Sequence, residues 1–220
     1  MLTRFSAVLA VGLFTARPAA HAQASDTSRL ADTSRKTAHA PGEVLTPEGR
    51  LVKGYFPGSV NGFEKTISFY LTHPEVRPFP KPKYISVDKI RSMTVHGFYF
   101  ETLQQKGKSL HVLACRLVDG PVQLFNYAEE KGIPVPLPII GFGLIPLASI
   151  PYTKNHWYLK RNDELTVIDR SRFVFEVSTY FADYPALAQK IKQKGKDYQY
   201  QDMVRIVTEY NRRPAAAGSK

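Results

Sequence analysis

Five histidines, one cysteine and scattered acids are the side chains that could carry chemistry in the body of this 220-residue chain. His39, His73, His96, His111 and His156 stand far apart, and none is paired at a metal-binding spacing such as HExxH. No CxxC exists to complete a zinc set, because Cys115 is the sole cysteine. His96 and His111 could meet across adjacent strands, in a register the sequence does not fix. Nucleophile motifs are equally thin. There is no GxSxG, and Cys115 sits in the apolar run LHVLACRL rather than at a helix N-terminus, where its pKa would fall. GSVNG (58–62) lacks the lysine and the strand–turn–helix setting of a phosphate loop and reads as a hairpin connection. Asp88, Asp119, Asp163, Asp169 and Asp183 fall at expected turns or helix caps. No catalytic, cofactor-binding or metal-ligating set is expected, and no cofactor. A hydrolase acting on an envelope polymer remains the alternative. It would have to bring His96, His111 or His156 to a carboxylate in a concave site.

Cations interleaved with rings could serve nucleic acid. KIKQKGKDYQYQDMVRIV carries Lys190, Lys192, Lys194, Lys196 and Arg205 beside Tyr198 and Tyr200. The lysines straddle a helix C-terminus and a linker, where the helix dipole and solvation explain them. Nucleic acid is not the expected partner.

The most unusual segment is GIPVPLPIIGFGLIPLASIPYT, residues 132–153, which carries no charge. Its length would suit a membrane helix. Pro134, Pro136, Pro138, Pro146 and Pro151 argue against one, since an interior helical proline costs about 3 kcal/mol. The expectation is an ordered apolar loop folded over the sheet, or an exposed flap that touches a partner, lipid or ligand. In the second case Ile133, Leu137, Ile139, Ile140, Phe142, Leu144 and Ile145 form the candidate contact patch.

The elements that would position these residues change type along the chain. RLVKGYF follows a turn at PEGR, and TISFYL alternates with Ile67, Phe69 and Leu71 on one face. HPEVRPFPKPK interrupts the strands. SMTV and FYFETL read as one strand bent at Gly97. SLHVLACRLV, apolar on both faces, is a central strand. DG at 119–120 turns it into PVQLFNY, with Pro121 widening the loop. HWYLKR and ELTVI form a hairpin through Asn162 and Asp163. After Ile168 the spacing becomes helical. Asp169 or Ser171 caps a first helix bearing Phe173, Val177, Tyr180 and Phe181. Asp183 caps a second, with Pro185 in its first turn, Leu187 and Ile191 inward, and Gly195 at its end. A third carries Met203, Ile206, Val207 and Tyr210 and stops at NRRP. The fold class is α+β: an antiparallel sheet over 44–168, then three short helices over 169–211 packed on it.

Residues 1–22 have the parts of a secretory signal peptide in order: Arg4, an uncharged run from Phe5 to Thr15, and AHA at 20–22. Loss of that segment removes Arg4 and Arg17 and takes the formal charge from +11 to +9. Residues 23–43 read as a disordered linker, with DTSR occurring twice, and 212–220 as a tail. The basic balance favours an anionic envelope component as partner, or another envelope protein.

Three C-terminal segments, HWYLKRNDELTVID, YFADYPALAQKI and YQYQDMVRIVTEYN, together with the hairpin RLVDGPVQLFNY, resemble a group of uncharacterised exported proteins of Gram-negative bacteria. Their shared patterns are YFxDxPxLxxxI and YxxxDxxxIVxxYN, and the likeness spans roughly residues 84–211. It implies an exported chain with a β-rich region and a helical tail, periplasmic or extracellular. It implies no activity and no catalytic residues. The expected function is a non-enzymatic envelope or secreted protein that binds a partner.

Overall fold

Three two-residue turns fold the middle of the chain into a meander. His96–Gly97, Lys106–Gly107 and Asn162–Asp163 all have positive φ at both positions, between 50° and 77°. This is the mirror-image turn geometry that matches strand twist. In the computed structural model, which describes residues 39–139 and 143–213, the strands are β1 (His39–Leu45), β2 (Leu51–Pro57), β3 (Phe63–Glu64), β4 (Thr66–Phe69), β5 (Lys83–Ser86) and β6 (Ser92–Val95). They continue with β7 (Phe98–Gln105), β8 (Lys108–Val118), β9 (Gln123–Ile139), β10 (Gly143–Arg161) and β11 (Glu164–Ile168). The helices are α1 (Phe173–Tyr180), α2 (Pro185–Lys192) and α3 (Met203–Arg212).

The main sheet is antiparallel, in the order β11-β10-β9-β8-β7-β6-β1-β2, with β3 added beside β8 and β4–β5 forming a separate pair. The α+β architecture is therefore the one the sequence implies. Helices cover one face over β8–β11. There Val122, Leu124, Trp157, Leu159 and Ile168 meet Phe173, Val177, Phe181, Leu187, Ile191, Met203, Ile206, Val207 and Tyr210. Phe181, Leu187 and Ile206 are fully buried and Tyr210 nearly so. At the other end β4 and the 3-10 turn Val87–Lys89 lay Ile67, Phe69 and Val87 on Phe56, Met93, Phe100 and Cys115. The opposite face curls on itself, so that Leu103, Val112, Ala114, Phe125, Tyr158 and Leu165 make a third core. Across that curl Lys160 donates to Glu101 at 2.6 Å.

Several expectations are corrected. SMTV and FYFETL are not one bent strand but the two arms of a hairpin, Val95 opposite Phe98. A glycine after a residue that tolerates positive φ makes a turn rather than a kink. GSVNG is not a hairpin connection, because β2 pairs with β1 while β3 crosses to β8. Gly62 lets that crossing approach β8: a Cβ there would lie 2.7 Å from the Leu113 carbonyl. Leu71 lies past the end of β4 and is half exposed, unlike Ile67 and Phe69. Strand β1 begins at His39, inside the segment expected to be linker, because Gly42 to Leu45 pair on both sides. The signal peptide, the rest of that linker and the tail beyond 213 lie outside the described residues.

The helix caps also differ. Asp169 accepts from the Ser171 amide and hydroxyl, one turn before the helix, while the α1 N-cap is Arg172. Asp183 does not cap α2, whose N-cap is Tyr184 ahead of Pro185. Its carboxylate is taken by Tyr210, Arg213 and Arg161. At the end of α2 the left-handed residue is Lys194 (φ 51°), one before Gly195. Among the described residues no helix is long and apolar enough to cross a membrane.

Candidate functional site

The expected apolar loop at 132–153 is a two-stranded ribbon. β9 and β10 stay paired from Gln123–Lys160 out to Ile139–Gly143, with one register shift between Pro146 and Ala148. β8 flanks β9 only through Asn126, and β11 flanks β10 only from Trp157 onward. Past those points, among the described strands, the two arms pair only with each other. From Lys131 to Ile139 the ribbon runs about 27 Å at ~3.4 Å per residue. The prolines that argue against a helix are compatible with this ladder. Pro136 stands opposite Pro146, so that position cannot be a hydrogen-bonded pair. Alternation then puts Pro134, Pro138 and, across the register shift, Pro151 at non-hydrogen-bonded positions as well. No ladder donor is lost at any of the five.

Register also sorts the residues by side. Ile133, Val135, Leu137 and Ile139 occupy alternate positions, opposite Ile150, Ala148, Ile145 and Gly143. Gly132, Pro134, Pro136 and Pro138 occupy the others, opposite Pro151, Ser149, Pro146 and Leu144. Of the expected patch, Ile133, Leu137, Ile139 and Ile145 thus share one side. Leu144 belongs to the other, and Ile140 and Phe142 lie outside the described residues. The aliphatic side continues the parity of Phe125 and Tyr158 in the curled core, and the proline side that of Asn126 and Trp157 under the helices.

A charged collar joins the ribbon to the sheet. His156 stacks on Tyr127 at 5.8 Å between ring centres, and its Nε2 lies 3.4 Å from Glu129. Lys131 reaches the same carboxylate at 3.2 Å. The Lys131 hydrogen bond, with help from His156, holds Glu129 below the usual carboxylate range. Tyr127 donates to Glu64 at 2.9 Å; burial first, then that hydrogen bond, pushes the phenol up to about 12. Asn61, Glu64, Tyr127 and Glu130 line a shallow cleft of about 360 Å³ beside the collar. Asn61 donates to Glu130 there at 3.1 Å, and its carbonyl takes the outward Ala128 N–H.

The histidines do not converge. His96 occupies the β6–β7 turn, whereas His111 sits on β8 opposite the bulge between Thr102 and Gln104, so the two do not meet across adjacent strands. His111 binds Asp88 through Nδ1 at 2.8 Å, and Ser109 donates to the same carboxylate at 2.7 Å. That hydroxyl therefore faces the acid, not the imidazole, and is not activated as a nucleophile. His96 and Glu43 line one shallow groove of about 510 Å³, but Glu43 is held by Lys53 at 2.9 Å. His73 packs edge-on against Tyr55, and His39 against Tyr70. Burial pushes the His39 pKa down. Among the described residues no three His, Cys, Asp or Glu side chains are grouped to hold a metal. Cys115 is buried and its thiol is pushed up to about 12 by desolvation.

Part of the basic–aromatic stretch is used within the fold, while Lys192, Lys194 and Lys196 are exposed. Tyr200 packs on Trp157 and Phe173 and donates to the Asn155 carbonyl at 2.8 Å. Lys190 and Arg205 both lie against Tyr198 and pair with Glu209 and Asp197. Sequence reasoning misses a second cationic cluster. Arg161 lies 4.7 Å from the Tyr180 ring centre and 5.0 Å from that of Tyr210, and Arg213 lies 4.0 Å from Tyr210. These residues sit in three separate segments, and no spacing announces them. No family model matches the chain, and neither a curated protein nor a solved structure does.

Proposed function

We propose that this is an exported, non-enzymatic binding protein of the cell envelope, periplasmic or extracellular, with the β9–β10 ribbon as its contact element. The observation that carries the reading is the ribbon itself: an uncharged stretch held on paired strands that outrun their sheet. Aliphatic residues at alternate positions of a paired ribbon suit contact with another surface. The basic balance of the chain draws it toward an anionic envelope component. Retention of the purified full chain on envelope fractions, followed across a salt series, tests this. Retention that weakens with salt and drops on Leu137→Lys is the expected result. Absence of retention at every salt concentration contradicts it.

The groove shared by His96 and Glu43 favours a second reading, a hydrolase of an envelope polymer. Release of soluble fragments from envelope polymer by the full chain, abolished by His96→Ala, would support that reading over the first.

A further inference from the structure

The connection between β4 and β5 holds apolar and basic side chains on the outside of the protein. It runs from Tyr70 to Pro82 and closes a strand pair in which Phe69 stands opposite Lys83. Its start is tied down. Tyr70 exchanges backbone hydrogen bonds with Tyr55 at 2.8 and 3.0 Å, and the His73 carbonyl accepts from the Val76 amide at 3.1 Å. From there on Val76, Phe79 and Tyr84 are exposed, Phe79 at 66% and Tyr84 at 70%, whereas Ile67 and Phe69 of the same strand pair are buried. Arg77, Lys81 and Lys83 are interleaved with these residues and are exposed too. Glu75 is the sole acid from Leu71 to Tyr84. Among the described residues none of the three cations is ion-paired. Arg77 lies 5.3 Å from the Phe79 ring centre. Pro74, Pro78, Pro80 and Pro82 restrict φ along the stretch and carry no N–H. Holding the rings and cations outward therefore costs less ordering entropy, and fewer donors lose water when the stretch meets a surface.

We propose that residues 76–84 form a second contact surface, one that lies on an anionic phospholipid layer. Val76, Phe79 and Tyr84 enter the interface, and Arg77, Lys81 and Lys83 meet the headgroup phosphates. This surface makes no use of the β9–β10 ribbon. An anionic polymer would engage the cations and leave Phe79 and Val76 idle. An apolar groove on another protein would engage the rings and leave the cations unpaired. A headgroup layer uses both, since basic residues are drawn to its charge while exposed rings and aliphatic groups settle at its apolar boundary.

Flotation of the full chain on phosphatidylcholine vesicles, with and without phosphatidylglycerol, tests the proposal, with Trp157 fluorescence as the check on folding. Binding that needs phosphatidylglycerol and weakens with salt is expected. Each basic residue beside an anionic surface is worth about fivefold in affinity, so Arg77→Gln, Lys81→Gln and Lys83→Gln together should weaken binding about a hundredfold. Phe79→Ala should weaken it about fivefold or more. No binding to phosphatidylglycerol vesicles, equal binding to both vesicle types, or binding unchanged in both loop variants overturns the proposal. So does binding that Leu137→Lys abolishes while the loop variants keep it, which would place the lipid contact on the ribbon. Capture on dextran sulfate that needs the cations but not Phe79, without vesicle binding, would identify an anionic polymer and overturn it as well.

Discussion

Pro136 and Pro146 stand directly across the β9–β10 ladder from each other. That pairing places a residue without a donor where the ladder asks for none, and it leaves the outer edges of the ribbon poor in N–H groups. Proline here preserves a strand pair while blocking further strands.

Restoring those donors should therefore change how the protein associates. The triple substitution Pro134→Thr, Pro136→Thr, Pro138→Thr gives β9 a continuous outer edge. Light scattering should show higher-order, concentration-dependent assemblies that the parent chain does not form. Unchanged solution behaviour would argue against the edge account.

The helix layer should be sensitive to truncation. Phe181 is fully buried between the sheet and α3, with its ring 4.6 Å from that of Tyr210. Phe181→Ala is expected to cost about 3–5 kcal/mol and Leu187→Ala about 2–5, read from urea midpoints.

These inward residues were the legible part of the chain. Phe173, Val177, Leu187, Ile206 and Tyr210 recur at helical spacing, and burial follows directly from that period. The ribbon was legible too, in Ile133-Pro-Val-Pro-Leu-Pro-Ile139, a strict alternation of period two. Proline masks it, because its penalty in helices and central strands is general while its tolerance on a free edge depends on tertiary context. The caps misled for a related reason: Asp183 has the sequence of a cap, but Tyr210 and Arg213, distant in sequence, claim its carboxylate. The His96–Gly97 turn carried a readable signal in its glycine, which fits a hairpin as well as a bend.

Asn211 binds the β8–β9 connection as a strand would. Its Oδ1 accepts from the Val122 amide at 3.1 Å and its Nδ2 donates to the Val122 carbonyl at 2.7 Å. Asn211→Ala should destabilise by about 1–3 kcal/mol. Asn211→Asp should cost more at neutral pH, because it sets a carboxylate oxygen against that carbonyl. Urea unfolding of the two variants checks the order.

Acid should loosen the helix layer. Burial pushes Asp183 upward, but hydrogen bonds from Tyr210 and Arg213 and the charges of Arg161 and Arg213 outweigh it and hold the carboxyl below its usual range. Glu209, bound by Lys190 and Tyr198, behaves likewise. A depressed folded-state pKa contributes stability that is present above the unfolded value, about 4, and lost as pH falls through the folded value. Urea midpoints from about pH 7 to about pH 3 should fall, and Asp183→Asn should flatten that decline.

Cys115 should be inert in the folded chain. Its buried thiol, pushed up to about 12, should not react with a disulfide reagent near pH 8 and should react at once in denaturant.

Amide exchange along residues 132–151 tests the ribbon as a contact element most directly, measured in the free chain and after capture on envelope fractions. The amides of Ile133, Val135 and Leu137 should exchange slowly in the free chain, held by the ladder, and more slowly still after capture. Uniformly fast exchange in both states would contradict it.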